Sequence, residues 1–185
     1  MILCQPIPRK ALYLGLFLGT TLPLIISLAA GVLIPFIMFG NFNEGISLVL
    51  LLLLVSSLLT IISIAISFLI STKITDKVKG LSLSIFFWLL SAIAFDGMLL
   101  LIAFVFQDYP VEKFLLALSI LNPVDLSRTI FILNFDISAL MGITGALFKK
   151  FYGSQLGVIV SFLSLLVWVL LPLLIGLKNF KKKDF

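Results

Sequence analysis

ISLVLLLLLVSSLLTIISIAISFLI, residues 46–70, runs for 25 residues without a charged side chain. As a helix it would be about 37 Å long, more than the ~30 Å hydrocarbon core of a bilayer. Three further stretches have the same character: Ala11–Met38, Leu81–Phe106 and Leu156–Leu177. Each exceeds the roughly 20 residues that a spanning helix needs. The chain therefore reads as all-α, a polytopic transmembrane helical bundle with four spans.

Composition agrees. Of the 185 residues, 62% are hydrophobic and 11% charged, and mean hydropathy is +1.30. No ordinary soluble domain is built that way. Four spans and their loops use nearly the whole length, so residues 1–185 form one transmembrane domain. The net charge of +5 does not call for nucleic acid, because the positive charges flank the spans, where they orient the protein and meet anionic lipid.

The chain has no histidine and a single cysteine, Cys4. That excludes an internal disulfide, a His/Cys zinc site, and Ser-His-Asp or Cys-His catalysis. There is no G-x-x-x-x-G-K-[ST] run, so a P-loop ATP site is excluded too. No cofactor is expected, and energy for transport must come from a partner or an ion gradient. Met38, Met98 and Met141 are soft donors, but they are scattered and read as apolar packing. The start, MILCQPIPRKALYLG, does not read as a signal peptide. Its basic pair follows two prolines and precedes an apolar run of 28 residues, longer than an h-region.

Charge asymmetry sets the expected orientation. One side collects nine basic residues, Arg9, Lys10, Lys73, Lys77, Lys79, Lys178, Lys181, Lys182 and Lys183, against Asp76 and Asp184. The other collects four, Lys113, Arg128, Lys149 and Lys150, against Glu44, Asp108, Glu112, Asp125 and Asp136. The positive-inside rule makes the first side cytoplasmic, with both termini there.

Within the spans, Pro23 and Pro35 interrupt the first, and neighbouring helices are expected to serve the carbonyls they free. Thr60, Ser63, Ser67 and Ser71 recur at three- and four-residue spacing in the second. They read as a small-residue face for helix packing, with a substrate path as the alternative. Asp96 lies inside the third span, where a carboxylate costs ~2.5–3.5 kcal/mol on insertion scales and so faces protein or water. Two readings stay open for it: a structural hydrogen bond to a hydroxyl on a neighbouring span, or a role in a substrate path or proton coupling.

Gln107–Gln155 is too long for a turn and too interrupted for a span. Asn122 reads as a helix N-cap, Pro123 as a first-turn proline, and Asp125 as an acidic residue at the positive end of the helix dipole. Asp125 and Arg128, three apart, can pair. A second short helix with Gly142 and Gly145 on one face is expected around Ser138–Phe148. The segment, about 111–153, reads as short interfacial or re-entrant helices on the outer face. A fifth full span over Phe114–Leu133 would bury Asp125 and Arg128 in lipid and put the lysine-rich tail outside.

Several segments carry a resemblance. QPIPRKALYLG (Gln5–Gly15) resembles the end of the cytoplasmic coupling segment of exporter-type ABC permeases, with Pro6, Pro8, Arg9 and Gly15 matching and Leu16 where lysine is usual. LNPVDLSR (Leu121–Arg128) resembles their outer N-P-x-D-x-x-R element, and PLLIGLKNFKKKDF (Pro172–Phe185) their basic F-x-x-x-D-F ending. SALMGITGALFKKFYGS (Ser138–Ser154) is similar to a segment of the NosY-type permeases, membrane subunits implicated in maturing the copper enzyme nitrous oxide reductase. AFDGMLLL, with Asp96, fits the same subgroup.

The resemblance implies a membrane permease subunit in the inner membrane, moving a copper-related or sulfur species for a periplasmic metalloenzyme. It implies a separate ABC ATPase as partner, a second copy as homodimer, and a periplasmic accessory protein. Pro6, Pro8 and Arg9 would couple to the ATPase. Asp96, Asn122, Pro123, Asp125, Arg128, Gly142 and Gly145 are the candidate functional residues. Such permeases have six spans, so the chain is expected to be the C-terminal part of one, lacking the two that come first. The alternative is an ion-coupled carrier or small channel using Asp96.

Overall fold

The computed structural model describes residues 8–40, 42–106, 109, 112–134 and 155–182. The described residues form helices and no strand. In chain order they are α1 (Arg9–Phe39), α2 (Phe42–Lys73), α3 (Lys77–Leu89), a π-helical turn (Leu90–Ala94), α4 (Phe95–Val105), α5 (Glu112–Leu121), α6 (Pro123–Asn134) and α7 (Gln155–Lys182). Four are long and apolar enough to cross a membrane: Arg9–Phe39, Gly45–Lys73, Lys77–Val105 and Ile159–Lys181. The third span is thus α3, the π turn and α4 end to end.

Local chemistry sets the helix ends. Gly40 ends α1, its N–H donating to the Phe36 carbonyl at 2.7 Å. A Cβ there would collide with the ring and carbonyl of Phe36, so the tight turn into α2 needs glycine. Asp76 caps α3, its Oδ1 accepting from the Val78 N–H at 2.9 Å. Lys73 sits in the last turn of α2, where a cation suits the helix dipole. α1 stays helical through Pro23 and Pro35, and α7 through Pro172.

α2 is the hub. It packs along α7 most extensively, then along α1, with α6 and α3 on its remaining sides. The buried cluster is Val55, Ile62, Ile66, Leu126, Ile130 and Leu165, with Phe87, Ile120 and Trp168 packed against it. Lipid tails are as apolar as leucine, so packing in a bilayer rests on close contact rather than on hydrophobic transfer. Small side chains supply that contact. Ala65 and Ser161 are wholly enclosed, and a Cβ at Gly176 would come within 3.6 Å of the Leu69 Cα.

The hydroxyl stripe of α2 behaves differently from the packing face expected of it. Thr60, Ser63 and Ser67 donate to the carbonyls of Ser56, Leu59 and Ser63 on their own helix, at 2.8 to 2.9 Å. Ser63, Ser67 and Ser71 are exposed. A close α2–α7 approach lies instead at Leu69 and Gly176. Back-bonding satisfies a hydroxyl in lipid without a second helix, so within this chain the spacing marks a face rather than a packing contact.

Arg9 at the start of α1, Lys73 at the end of α2, Lys77 at the start of α3 and Lys178 near the end of α7 gather at one end of the bundle. The Arg9 guanidinium donates to the Lys181 carbonyl at 2.8 Å, tying two of these helix ends together. We refer to this as the basic end.

Candidate functional site

The unusual part of the fold is the helical hairpin of α5 and α6. It enters from the end opposite the basic one, turns at Asn122, and returns. The turn is deep. The Asn122 amide donates to the Ser91 carbonyl at 2.7 Å, and Ser91 is the midpoint of the third span, Lys77–Val105. A hairpin tip at that depth needs every backbone group served. The Asn122 Oδ1 accepts from the Val124 N–H at 3.0 Å, capping α6 behind Pro123 as the sequence predicts. On the α5 side, the Ser164 hydroxyl of α7 donates to the Ile120 carbonyl at 2.9 Å, serving one of the orphan acceptors of a helix end. Ser127 donates to the Pro123 carbonyl at 2.7 Å.

The π turn faces this tip. One extra residue in the turn rotates everything beyond it by about 100° relative to a regular helix. Asp96 follows two residues after the turn, about 7 Å farther along the axis than Ser91, and there it forms an ion pair with Arg128 of α6. The hydrogen-bonded partners differ from the two expected, a hydroxyl for Asp96 and Asp125 for Arg128. Asp96 does not depend on a hydroxyl from another span, and Arg128 takes Asp96 rather than Asp125 as its hydrogen-bonded partner. A carboxylate inside a span needs compensation; Asp125 is served in part by the Ser119 hydroxyl of α5.

Polar burial follows the same map. Apart from Thr21, the buried polar residues among those described are Ser91, Ser119, Asn122, Asp125, Ser127, Thr129 and Ser161. All lie in the hairpin, the third span or α7. Among the described residues, one oxygen each of Asp96 and Asp125 is enclosed without a hydrogen-bond donor. Arg128 is 46% exposed and Asp96 30%, so the pair sits at the edge of the hairpin rather than under it.

Beside the hairpin runs an open groove. Its deeper part, about 490 Å³, lies among Ile62, Ser63, Ser67, Phe87, Trp88 and Pro123. The outer part, about 530 Å³, is bordered by Leu52, Ser56, Arg128 and Phe131. Leu59 and Val124 line both. The walls are apolar with hydroxyls at intervals, and the Arg128 guanidinium stands at one end. An ion pair, an amide and hydroxyls of this kind hold elements together and border the groove.

Of the residues singled out in the sequence, Asp96, Asn122, Pro123, Asp125 and Arg128 come together here. Pro8 and Arg9 lie at the basic end, exposed. Pro6, Gly142 and Gly145 are outside the described residues. Sequence reasoning missed Ser91, Ser119 and Ser164. Ser91 acts through its carbonyl, which no side-chain pattern signals, and the other two are single serines in apolar runs.

Over residues 1–185 the chain matches the family described as ABC-2 family transporter protein. The chain belongs to the ABC-2 transporter family. It is a membrane permease subunit of an ABC transporter, a kind of subunit that normally carries no ATPase site of its own. It is also similar to the probable ABC transporter permease protein NosY of Stutzerimonas stutzeri. The two are 27% identical over 191 aligned residues, covering 99% of this chain and 67% of that protein. For an ABC-2 permease the family implies a membrane setting and an ABC ATPase as partner, which gives the basic end and the hairpin end distinct possible roles.

Proposed function

We propose that this permease is a NosY-like exporter subunit, working as a homodimer in the inner membrane with both termini cytoplasmic. A separate ATPase docks at the basic end, near Pro8 and Arg9. Nucleotide-driven closure there is answered at the other end by the α5–α6 hairpin, which seals the bundle and meets a periplasmic accessory protein. The substrate is a copper-related or sulfur species used to mature a periplasmic metalloenzyme.

The observation that carries this reading is the hairpin tip, fastened at mid-span by Asn122 and clamped above it by Arg128 and Asp96. A plug held by a few polar bonds at the far end of a bundle is what an exit gate requires. The likeness to a probable NosY permease supports the NosY-like part of this reading. The ion-coupled alternative would use Asp96 as its proton- or cation-binding residue, and Asp96 has a guanidinium partner.

The test is complementation. Expressed in a strain lacking its own NosY permease, the gene should restore copper-replete nitrous oxide reductase. Asp96→Asn with Arg128→Gln should insert and bind the ATPase yet fail to restore it. Normal maturation with the doubly substituted chain would remove the hairpin from the mechanism. No maturation with the unsubstituted chain, despite a correctly assembled ATPase complex, would remove the NosY-like substrate.

A further inference from the structure

α1 is 31 residues long, yet its buried side chains are only Tyr13, Phe17 and Thr21. These recur every four residues, so they form one stripe, and the stripe is confined to the first half of the helix. α1 is thus gripped at its basic end.

The grip is aromatic. Tyr13, 1% exposed, meets Phe68 of α2 edge-on with centroids 5.7 Å apart and Phe180 of α7 at 5.4 Å. Phe17 meets Phe68 edge-on at 5.6 Å. The Tyr13 hydroxyl end lies against Gly176 of α7, where a Cβ would collide with it. The hydroxyl itself is buried without a hydrogen-bond partner among the described residues. A phenol buried this way contributes shape and reach rather than a bond. One turn earlier, Arg9 donates to the Lys181 carbonyl at the end of α7. The start of α1 and the end of α7 are therefore joined twice, once by a ring in a glycine notch and once by a cap.

We infer that Tyr13 is a positioning residue: seated on Gly176 between Phe68 and Phe180, it makes the start of α1 and the end of α7 one mechanical unit. This rests on the reading that an ATPase engages the segment around Pro8. A displacement applied there reaches α7 directly, not only through the length of α1. α7 in turn holds the hairpin, through Ser164 on the Ile120 carbonyl. The path from the basic end to the plug is then Tyr13, Gly176, the α7 helix and Ser164.

Two measurements test it, both on the reconstituted protein with Cys4→Ser. Spin labels at Lys10 and Lys178 report the joint without any ATPase. The distance distribution should be narrow in the parent and in Tyr13→Phe, which keeps the ring and loses only the unpaired hydroxyl. It should broaden in Gly176→Leu, which fills the notch, and in Tyr13→Ala. An unchanged distribution in both would overturn the joint.

The second measurement uses the complex with its ATPase. A cysteine at Tyr109, at the hairpin end, is labelled with an impermeant maleimide with and without trapped nucleotide. Gly176→Leu should keep ATP hydrolysis and assembly while the nucleotide-dependent change in labelling falls about fivefold or more. Tyr13→Phe should retain the full change. If the loosened variants still transmit the full signal, Tyr13 is only a packing residue. If the parent shows no nucleotide response at all, the ATPase reading fails, and the spin-label result decides the rigid joint by itself.

Discussion

At the scale of single residues, Asp96 and Arg128 show how a charge is tolerated inside a span. Their pair is neither a surface bridge, worth ~0.2–1 kcal/mol, nor a fully buried one, where removing one partner costs ~3–5 kcal/mol. A double-mutant cycle with Asp96→Asn and Arg128→Gln should give a coupling of about 1–3 kcal/mol. Thermal unfolding of the purified protein in lipid nanodiscs measures it, and simple additivity would mean the two side chains act independently. Asn122 makes a sharper case because its amide has two jobs. Asn122→Ala removes both the cap, worth ~1 kcal/mol, and the donor to a buried carbonyl, worth about 1–3 kcal/mol when left unmet. Asn122→Ser can still cap α6 but cannot also reach Ser91. The expected order of stability is Asn, then Ser, then Ala. Equal loss in Ser and Ala variants would show that the bond to Ser91 dominates and the cap adds nothing.

Among the elements, the hairpin is the one whose path the sequence left open. Helix breaks at Asn122-Pro123 are local, and Pro123 fits the first turn of α6 as readily in a kinked span as in a reversal. What makes it a reversal is the set of bonds at the tip, from Asn122 to the third span and from Ser164 to α5. Cysteines at Phe114 and Phe131 distinguish the two directly. In a re-entrant hairpin both react with an impermeant reagent from the same side of the membrane. In a fifth span they would react from opposite sides. α1 offers the contrasting case, a single apolar rod whose attachment is concentrated at Tyr13 and Phe17, so loosening that end should affect motion more than insertion.

For the whole molecule, the arrangement of charge predicts orientation. Arg9, Lys73, Lys77 and Lys178 share one end of the bundle, and the positive-inside rule places that end in the cytoplasm. In intact cells an impermeant maleimide should label a cysteine at Tyr109 and spare one at Lys181. Labelling of position 181 from outside would invert the permease and carry the ATPase-facing end to the wrong compartment. Because an even number of spans separates the termini, the result at 181 also fixes Lys10.

How much of this was legible beforehand follows from what each signal depends on. Span number and helical class rest on the length of uncharged runs such as residues 46–70, and no tertiary contact is needed to read them. The cap at Asn122 and the turn at Pro123 are local too, because the groups involved lie within four residues of each other. The serine stripe of α2 was legible as a face but not as an exposed one, since a hydroxyl bonded to its own helix looks the same in sequence as one bonded across an interface. The pairing of Arg128 with Asp96 rather than Asp125 was not legible at all. It depends on a π turn that no residue in LSAIA announces, which rotates Asp96 toward a hairpin 32 positions away in the chain. Likewise Tyr13 and Gly176 are an aromatic and a glycine in two apolar helices until the bundle closes. Hydrophobic length and local capping chemistry alone determined what crosses the membrane; which polar groups meet inside it was decided by how the helices rotate and pack.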